Sequence, residues 1–269
     1  MPEIRVFNCK FCGTENETLD ARKMYCNKQC ADRARNLPKP APGVSGEVTL
    51  AHFGKFPQDV RNDILLGKTN EKIALFDIEA THLEANVGRV LCCVVGSMEW
   101  REATKTAIIP PDGIKVFHAL ERRYKRPDNF DDSVLAADIR DYLEGFDIIA
   151  GHNSKMFDTK FINARNLKAG QRTKKPQYQV DTFWSWKSKA RAWSSLKAIQ
   201  QFLGTPTEKT SISWGAWMNA LGWDANLRTK AMDEIVEHCV LDVQALHEVY
   251  VALVNADVIR SLRHDGGVL

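Results

Sequence analysis

Hydrophobic positions along the chain form two kinds of pattern, short continuous runs and stripes with helical spacing. The continuous runs are typical of strands that are buried on both faces. They predict strands near 72–79, 89–97, 102–109 and 146–151, with a further short strand in the segment QYQVDTF. Apolar residues three or four positions apart predict helices near 131–144, 157–169, 194–203 and 226–254. Three strands followed by helix, strand and helix indicate an α/β sheet that begins with a meander.

The first 49 residues differ in composition from the rest of the chain. Residues 1–35 are rich in cysteine and basic side chains, and we interpret them as a small separate module. Residues 36–49 contain alternating prolines and then two glycines, which is typical of an extended, semi-rigid linker. The predicted strands and helices all fall in residues 50–269, which we therefore assign to one main domain.

The overall composition indicates a soluble protein rather than a membrane protein. Hydrophobic residues make up 44% and charged residues 26% of the chain, close to the average of globular domains. No apolar run approaches the roughly 20 residues that a transmembrane helix needs. The first ten residues lack the apolar core of a signal peptide, so the sequence predicts a cytoplasmic protein in a reducing compartment, with no membrane partner.

Two carboxylates stand at the end of the first predicted strand, in the segment IALFDIEA. Asp77 and Glu79 are two residues apart, so a strand presents both side chains on the same face. Like charges this close repel each other unless a cation or solvent compensates them. The strand end is therefore either a solvated edge or half of a metal site that needs further oxygen ligands.

Further candidate ligands lie on two of the predicted helices. Asp158 falls in the first turn of the helix after the strand DIIAG, where it either binds a metal or complements the helix dipole. Asp242 borders the apolar stripe of the last long helix, a costly place for an isolated carboxylate. His238 lies four residues earlier on the same helical face, either as a catalytic residue or as a hydrogen-bonded structural one.

Taken in order, these motifs resemble those of the DEDD superfamily of 3′→5′ exonucleases, to which the proofreading domains of DNA polymerases belong. The resemblance rests on the D-x-E strand, the junction H-N-x-x-x-F-D and the helix H-x-x-x-D, and it covers residues 70–256. The segments VDTF and SSLKAIQQFLG, between the second and third motifs, also fit. The resemblance implies an α/β, ribonuclease-H-like fold, in which helices flank a mixed sheet.

The resemblance also implies a set of functional residues. The four acids Asp77, Glu79, Asp158 and Asp242 correspond to residues that bind two Mg²⁺ or Mn²⁺ ions. Two such ions, about 3.5–4 Å apart, activate water, stabilise charge on the phosphoryl group and support the leaving oxygen. Asn153 matches a polar position of the second motif that contacts the substrate near its 3′ end.

The third motif departs from the family in one respect. One branch of the family has His five residues before the last Asp, and the other has Tyr four residues before it. Here His238 occupies the four-before position and Glu237 the five-before position. Imidazole accepts protons near neutral pH, so His238 is the candidate general base. A different ring in this position either alters the rate or the pH dependence or reflects relaxed catalysis.

Basic residues concentrate around and after the second motif. From Lys155 to Lys197 the chain has eleven Lys or Arg and two acids, a net charge of +9, whereas the whole chain carries only +3. Such a stretch is either a solvated face or a phosphate-binding surface, and the resemblance favours the second. The candidate nucleic-acid-binding residues, besides Asn153, are Lys155, Lys174, Lys175, Trp184 and Lys187.

Tryptophans near this basic stretch have two possible roles. Trp184, Trp186 and Trp193 are interleaved with basic residues, so each either stacks on a base or packs into the core. The tryptophans of the segment WGAWMNALGW are instead expected to pack between helices.

Four cysteines near the N-terminus have the spacing of a zinc site. Two residues separate Cys9 from Cys12, and three separate Cys26 from Cys30. Four thiolates around one Zn²⁺ supply folding energy to a segment with too few apolar residues for a core, and disulfides are the alternative. The module resembles the small treble-clef fingers of nucleic-acid-associated proteins. Its role is to bind nucleic acid, to dock a protein or to be purely structural.

The remaining cysteines differ from these four in their surroundings. Cys92, Cys93 and Cys239 stand in apolar runs, so we expect them to be inert core residues.

These features together predict a zinc-finger-bearing, two-metal 3′→5′ exonuclease. Its substrate is single-stranded DNA or a frayed 3′ end, and it acts alone or with a DNA replication or repair partner. One alternative is an exoribonuclease of the same superfamily, because we can name no residue that reads the 2′-hydroxyl. Others are a catalytically weak nucleic-acid-binding module and a zinc-dependent adaptor that binds a partner protein through residues 1–36.

Overall fold

The computed structural model describes residues 5–8, 15–18, 50, 52–124, 131–207 and 210–264. The chain divides into two compact units, Met1–Phe56 and Pro57–Leu269. In the first unit, strands β1 (Arg5–Asn8) and β2 (Glu15–Thr18) pair antiparallel. The predicted linker 36–49 and the cysteines Cys9, Cys12, Cys26 and Cys30 lie outside the described residues, so the zinc site stays a prediction.

The second unit contains a mixed sheet of seven strands among its described residues. They are β3 (Ile73–Ala80), β4 (Val90–Arg101), β5 (Thr106–Ile108), β6 (Ile114–His118), β7 (Ile148–Gly151), β8 (Tyr178–Asp181) and β9 (Arg263–His264). The spatial order is β5-β4-β3-β7-β8-β9, and β6 also pairs with β4. The first strands form an antiparallel meander, whereas β3, β7 and β8 are parallel to one another.

The second unit also contains seven α-helices among its described residues from Gln58 to Asn255. They are α1 (Gln58–Leu65), α2 (Ser133–Leu143), α3 (Asp158–Lys168), α4 (Thr182–Lys187), α5 (Leu196–Leu203), α6 (Trp214–Asn219) and α7 (Ala225–Asn255). In the part of the chain that the structure describes, none of them combines the length and the apolar character needed to cross a bilayer.

The alternation of side chains along β3 separates two layers of helix. Phe76 and Ile78 belong to a buried cluster that includes Ile139 of α2 and Phe161 of α3. Residues of the opposite parity point to the other face, where α7 contacts β3 and β4. Asp77 lies on this second face, and its Oδ2 is 3.5 Å from Sγ of Cys239 in α7.

Helix α7 comes close to the sheet at a glycine of β4. A Cβ atom added to Gly96 would lie 3.0 Å from Cγ1 of Val243 and 2.6 Å from Cδ1 of Ile109. A real side chain cannot occupy this space without a shift of its neighbours, because protein interiors are close-packed. Gly96 therefore determines how near α7 lies to the strands.

The structure confirms the predicted mixed sheet flanked by helices and corrects several details. The prediction of a strand over 102–109 is partly wrong, because residues 102–105 form a turn and only Thr106–Ile108 are extended. Strand β6 was not predicted, since most of its side chains are only half-buried and the apolar contrast is weak. Helix α4 was predicted in part as strand. It begins where the Asp181 side chain accepts hydrogen bonds from Phe183 N and Trp184 N.

Candidate metal centre and substrate cleft

The end of β3 projects beyond its parallel neighbour and carries the first two acids. Pairing of β3 with β7 ends at Leu75, whereas pairing with β4 continues past Glu79. The backbone of Ile78 therefore has no strand partner on the β7 side. Its N–H instead donates to Oδ1 of Asp158 at 3.1 Å, which joins the second motif to the first.

Asp158 is the first residue of α3, and its carboxyl is buried. Burial raises the pKa of Asp158 to about 7, and the nearby Asp181 charge adds to this effect, while the hydrogen bond from Ile78 opposes it. A carboxyl in this environment binds either a proton or a cation near neutral pH. The helix-dipole explanation alone does not account for its hydrogen bond to the motif strand.

This environment predicts how metal-free protein responds to pH. In the folded state, burial favours the protonated, neutral form of Asp158. Protonation of this carboxyl therefore stabilises the fold fully below about pH 4, and this stabilisation is lost as the pH rises through about 7. In EDTA, Asp158→Asn should be the more stable protein at pH 8, by on the order of a few kcal/mol, and the gap should shrink towards pH 5. Thermal unfolding of both proteins at several pH values measures this difference in stability.

A matched control for this experiment is Asp112→Asn, at an exposed position. It shows how the same change of side chain affects stability where the carboxylate is exposed. A constant difference between Asp158→Asn and the parent at every pH would contradict the assigned burial effect.

Helix α7 supplies the third motif from the opposite side of the cluster. Nε2 of His238 lies 3.7 Å from Oε1 of Glu79 and 3.6 Å from Oδ2 of Asp242. Nδ1 of His238 is 2.8 Å from the hydroxyl of Thr210. The side chain is thus held by Thr210 on one edge and directs its other nitrogen at two carboxylates.

The donor atoms of this cluster fit a divalent cation. One ligand atom each from Glu79, His238 and Asp242 lies within 4.8 Å of the other two. Ligands of one ion at about 2.1 Å are roughly 3–4 Å apart, so the observed spacing is compatible with a shared ion. Carboxylate oxygens are the ligands that Mg²⁺ and Mn²⁺ prefer, while an imidazole nitrogen is the choice of softer metals.

All the predicted catalytic residues line one open cleft of about 850 Å³. They share it with Asn153, and the cleft walls come from the loop after β3 and from α3. The predicted site residues that line it are Asp77, Glu79, Asn153, Asp158, His238 and Asp242. The structure therefore brings together side chains that are up to 165 positions apart in the sequence.

Asp181 holds the loop that carries Asn153. Its buried carboxylate accepts hydrogen bonds from Asn153 N at 3.0 Å and Lys155 N at 3.1 Å. Next to it, Nδ1 of His152 is 2.9 Å from the Thr182 hydroxyl. Gly151 precedes this loop, and a Cβ there would lie 2.4 Å from the Ser154 side chain. The loop is therefore fixed from β8, and His152 contacts the first residue of α4.

The predicted nucleic-acid-binding residues outside the cleft are dispersed. Lys155 and Trp184 line an adjoining pocket, and Lys187 lines the next one. Lys174 is buried, and its Nζ donates to Lys175 O and to Oε1 of Gln177, so it belongs to the packing rather than to the expected exposed surface. Lys175 lies beside Glu144.

The tryptophans divide differently from the sequence expectation. Trp186 is buried, while Trp184 and Trp193 are exposed. Trp214 and Trp223 are 77% and 95% exposed, so the expectation that they pack between helices is wrong. Helix α6 instead buries Ala216, next to the buried Ala220. The expectation of core cysteines is confirmed, because Cys92, Cys93 and Cys239 are all fully buried.

Sequence reasoning missed two supports of the site. Thr210 contacts His238 from 28 residues away, and the sequence around Thr210 has no motif that indicates this. Arg165 of α3 donates to Ala85 O and so anchors the loop that forms one wall of the cleft. Arg165 lies two helical turns after Asp158, and no local motif in the sequence indicates its contact with Ala85.

A comparison with family models decides the family. The RNase_H_2 model, described as RNase_H superfamily, matches residues 74–254. The chain belongs to the RNase_H superfamily. The superfamily domain includes the cleft and all four acids.

The chain is also similar to a solved structure. The family B DNA polymerase from the hyperthermophilic archaeon Pyrobaculum calidifontis matches with a TM-score of 0.49 and 16% sequence identity. The match covers 71% of this chain and 25% of the polymerase, so this chain spans about a quarter of the polymerase length. No curated protein matched the sequence.

Proposed function

We propose that this chain is a metal-dependent nuclease that removes nucleotides from the 3′ end of single-stranded nucleic acid, with DNA as the preferred substrate. The observation that carries the proposal is the convergence of four acids and a histidine from β3, α3 and α7 on one open cleft. Membership of the RNase_H superfamily supports the nuclease class. The direction of degradation and the preference for single strands rest on the motif resemblance.

The metal-binding role falls to the carboxylates. Asp77, Glu79, Asp158 and Asp242 would hold two Mg²⁺ or Mn²⁺ ions, because hard cations take oxygen ligands and compensate their charge. When bound, such ions stabilise charge on the phosphoryl group and increase the acidity of water. Without them, this concentration of acids repels an incoming phosphodiester.

His238 is proposed as the general base. If the Thr210 hydroxyl accepts a hydrogen bond from Nδ1–H, Nε2 keeps its lone pair, and this atom faces Glu79 and Asp242 in the cleft. Nε2 can then take a proton from the attacking water. The same lone pair is also able to bind a metal ion, so the two roles exclude each other at any one moment.

The variant His238→Gln distinguishes a general-base role of His238 from a metal-ligand role. Loss of a general base should lower kcat about 10²- to 10⁴-fold and remove the acidic limb of the pH–rate profile, with the metal concentration for half-maximal activity unchanged. His264→Gln, at an exposed position of β9, is the control. A variant whose activity returns at higher Mn²⁺ concentration would identify His238 as a ligand and not as the base.

The proposed reaction is tested with 5′-labelled single-stranded DNA and RNA, each incubated with Mg²⁺, Mn²⁺ or EDTA. We expect a ladder of DNA products that shortens from the 3′ end, requires metal, and forms more slowly with RNA. Products cut internally would refute the exonuclease direction. Intact DNA and RNA under all conditions, with binding still measurable, would assign the chain to the nucleic-acid-binding modules.

A further inference from the structure

Three adjoining pockets of the second unit form a continuous path away from the acidic cleft. Met156 lines both the acidic cleft and a middle pocket of about 550 Å³. Ser188 and Lys189 line both the middle pocket and a third groove of about 910 Å³. We call this path, from the acidic cleft through the middle pocket to the third groove, the strand track.

The third groove combines positive charge with exposed aromatic rings. Among the described residues that line it, Lys187, Lys189 and Arg191 are cationic and none is acidic. Trp193 and Phe202 also line it and are 87% and 69% exposed. Large aromatic side chains with this exposure beside several cations are typical of surfaces that bind phosphates and stack on bases.

The exposed rings stand on a buried support. The indole N–H of Trp186 donates to the carbonyl oxygen of Trp193 at 3.1 Å. The Trp186 ring packs edge-on against Phe202, with ring centroids 5.2 Å apart. Because Trp186 itself is buried, it holds the Phe202 ring and the backbone of Trp193 in place. A pre-organised platform loses less conformational entropy on binding than a mobile one.

The middle pocket, which lies between the third groove and the cleft, also combines basic residues with an exposed aromatic ring. Trp184 lines it and is 45% exposed, and Nζ of Lys187 lies 5.2 Å from the centroid of its ring. Lys155 and Arg260 add positive charge to the walls. Among the described residues of this lining, the one carboxylate is that of Asp181, and it accepts backbone hydrogen bonds from Asn153 and Lys155, which offset its charge.

We propose that the strand track binds one unpaired strand of nucleic acid, with its terminal nucleotide at the four acids and its upstream nucleotides in the third groove. Trp193 and Phe202 stack on bases, and Lys187, Lys189 and Arg191 contact phosphates. The occupant is a single strand because stacking on a side chain needs a base face that a duplex keeps covered. This inference rests on the proposed nuclease function and adds the path of its substrate.

The test measures binding rather than hydrolysis. Full-length protein that carries Asp77→Asn is titrated against fluorescent single-stranded oligodeoxynucleotides of about 3 and about 12 nucleotides, the longer within the range that one such surface covers. The variants are the pair Trp193→Ala with Phe202→Ala and the triple change of Lys187, Lys189 and Arg191 to Gln. Trp223→Ala, an equally exposed tryptophan outside the track, is the matched control.

We expect the aromatic pair to lose at least about tenfold in affinity for the long strand and less than about twofold for the short one. The triple variant should reduce the slope of log affinity against log salt by about 2, since each phosphate contact on a single strand contributes roughly 0.7. A duplex of the same sequence should compete poorly. Unfolding temperatures of all variants show that the chain is still folded.

The track is overturned if the long and short strands lose affinity equally, if the loss matches that of Trp223→Ala, or if there is none. These outcomes differ from failure of the proposed function, which is the absence of metal-dependent hydrolysis by the unmodified chain. Length-dependent binding without hydrolysis would keep the track and refute the nuclease. Hydrolysis by the unmodified chain, with unchanged long-strand affinity in the variants, would support the nuclease and refute the track.

Discussion

Replacement of Asp77 with Asn is expected to lower the rate of phosphodiester hydrolysis at least about 100-fold, while affinity for a single strand stays within about threefold. The amide keeps the size of the side chain but removes a negative charge and a proposed anionic oxygen ligand from the acidic cleft. A 100-fold loss corresponds to about 3 kcal/mol of transition-state stabilisation. Binding persists because most of its energy is expected from phosphate and base contacts elsewhere.

Initial rates at saturating Mg²⁺ and binding by fluorescence anisotropy measure the two effects separately. Asp233→Asn, an exposed acid on α7, is the control and should retain the parent rate. A rate for Asp77→Asn above a tenth of the parent rate would remove Asp77 from the proposed metal centre. A parallel loss of binding would mean that the side chain maintains the fold of the cleft.

The largest effect on stability is expected from Arg165→Met. The guanidinium of Arg165 forms a buried ion pair with Asp132, with Nη2 and Oδ1 2.5 Å apart, and it also donates to Ala85 O. Removal of one partner leaves a buried charge, which costs about 3–5 kcal/mol. The carboxylate of Asp132 also accepts from Val90 N, so the start of β4 depends on the same pair.

Urea unfolding in EDTA measures this loss, and Arg172→Met provides the contrast. Arg172 pairs with Asp141 and Glu144 at the surface, where its side chain is half exposed, and such pairs contribute about 1 kcal/mol or less. The double variant Asp132→Asn with Arg165→Met should recover part of the loss, because no charge is then left alone. Equal destabilisation by Arg165→Met and Arg172→Met would contradict the assigned burial of the pair.

The order of the main elements could be predicted because each is encoded locally. The continuous apolar run before Asp77 identifies a central strand, and the stripe around Asp242 identifies the long helix. The strand period of two places Asp77 and Glu79 on one face, and the helical period places His238 above Asp242. These periodicities locate the candidate site without any knowledge of long-range contacts.

The supports of the site could not be predicted, because they are contacts between distant segments. Neither the hydrogen bond from Ile78 N to Asp158 nor the contact between Thr210 and His238 has a local pattern. Composition also fails to distinguish Trp186, which is buried, from Trp193, which is exposed seven residues later. The difference arises because Trp186 lies on the inner face of a short helix whose start is fixed by Asp181.

The contact at Gly96 has a consequence for how this site tolerates change. Val243, which packs against Gly96, is the residue next to Asp242. The absence of a side chain at Gly96 therefore limits the distance between the strands and the helix whose acids would hold the proposed ions. Residues that do not line the cleft therefore determine how far apart its acidic residues lie. If the proposed ions bind here, a substitution that shifts this helix away from the sheet would weaken metal affinity by separating the acids.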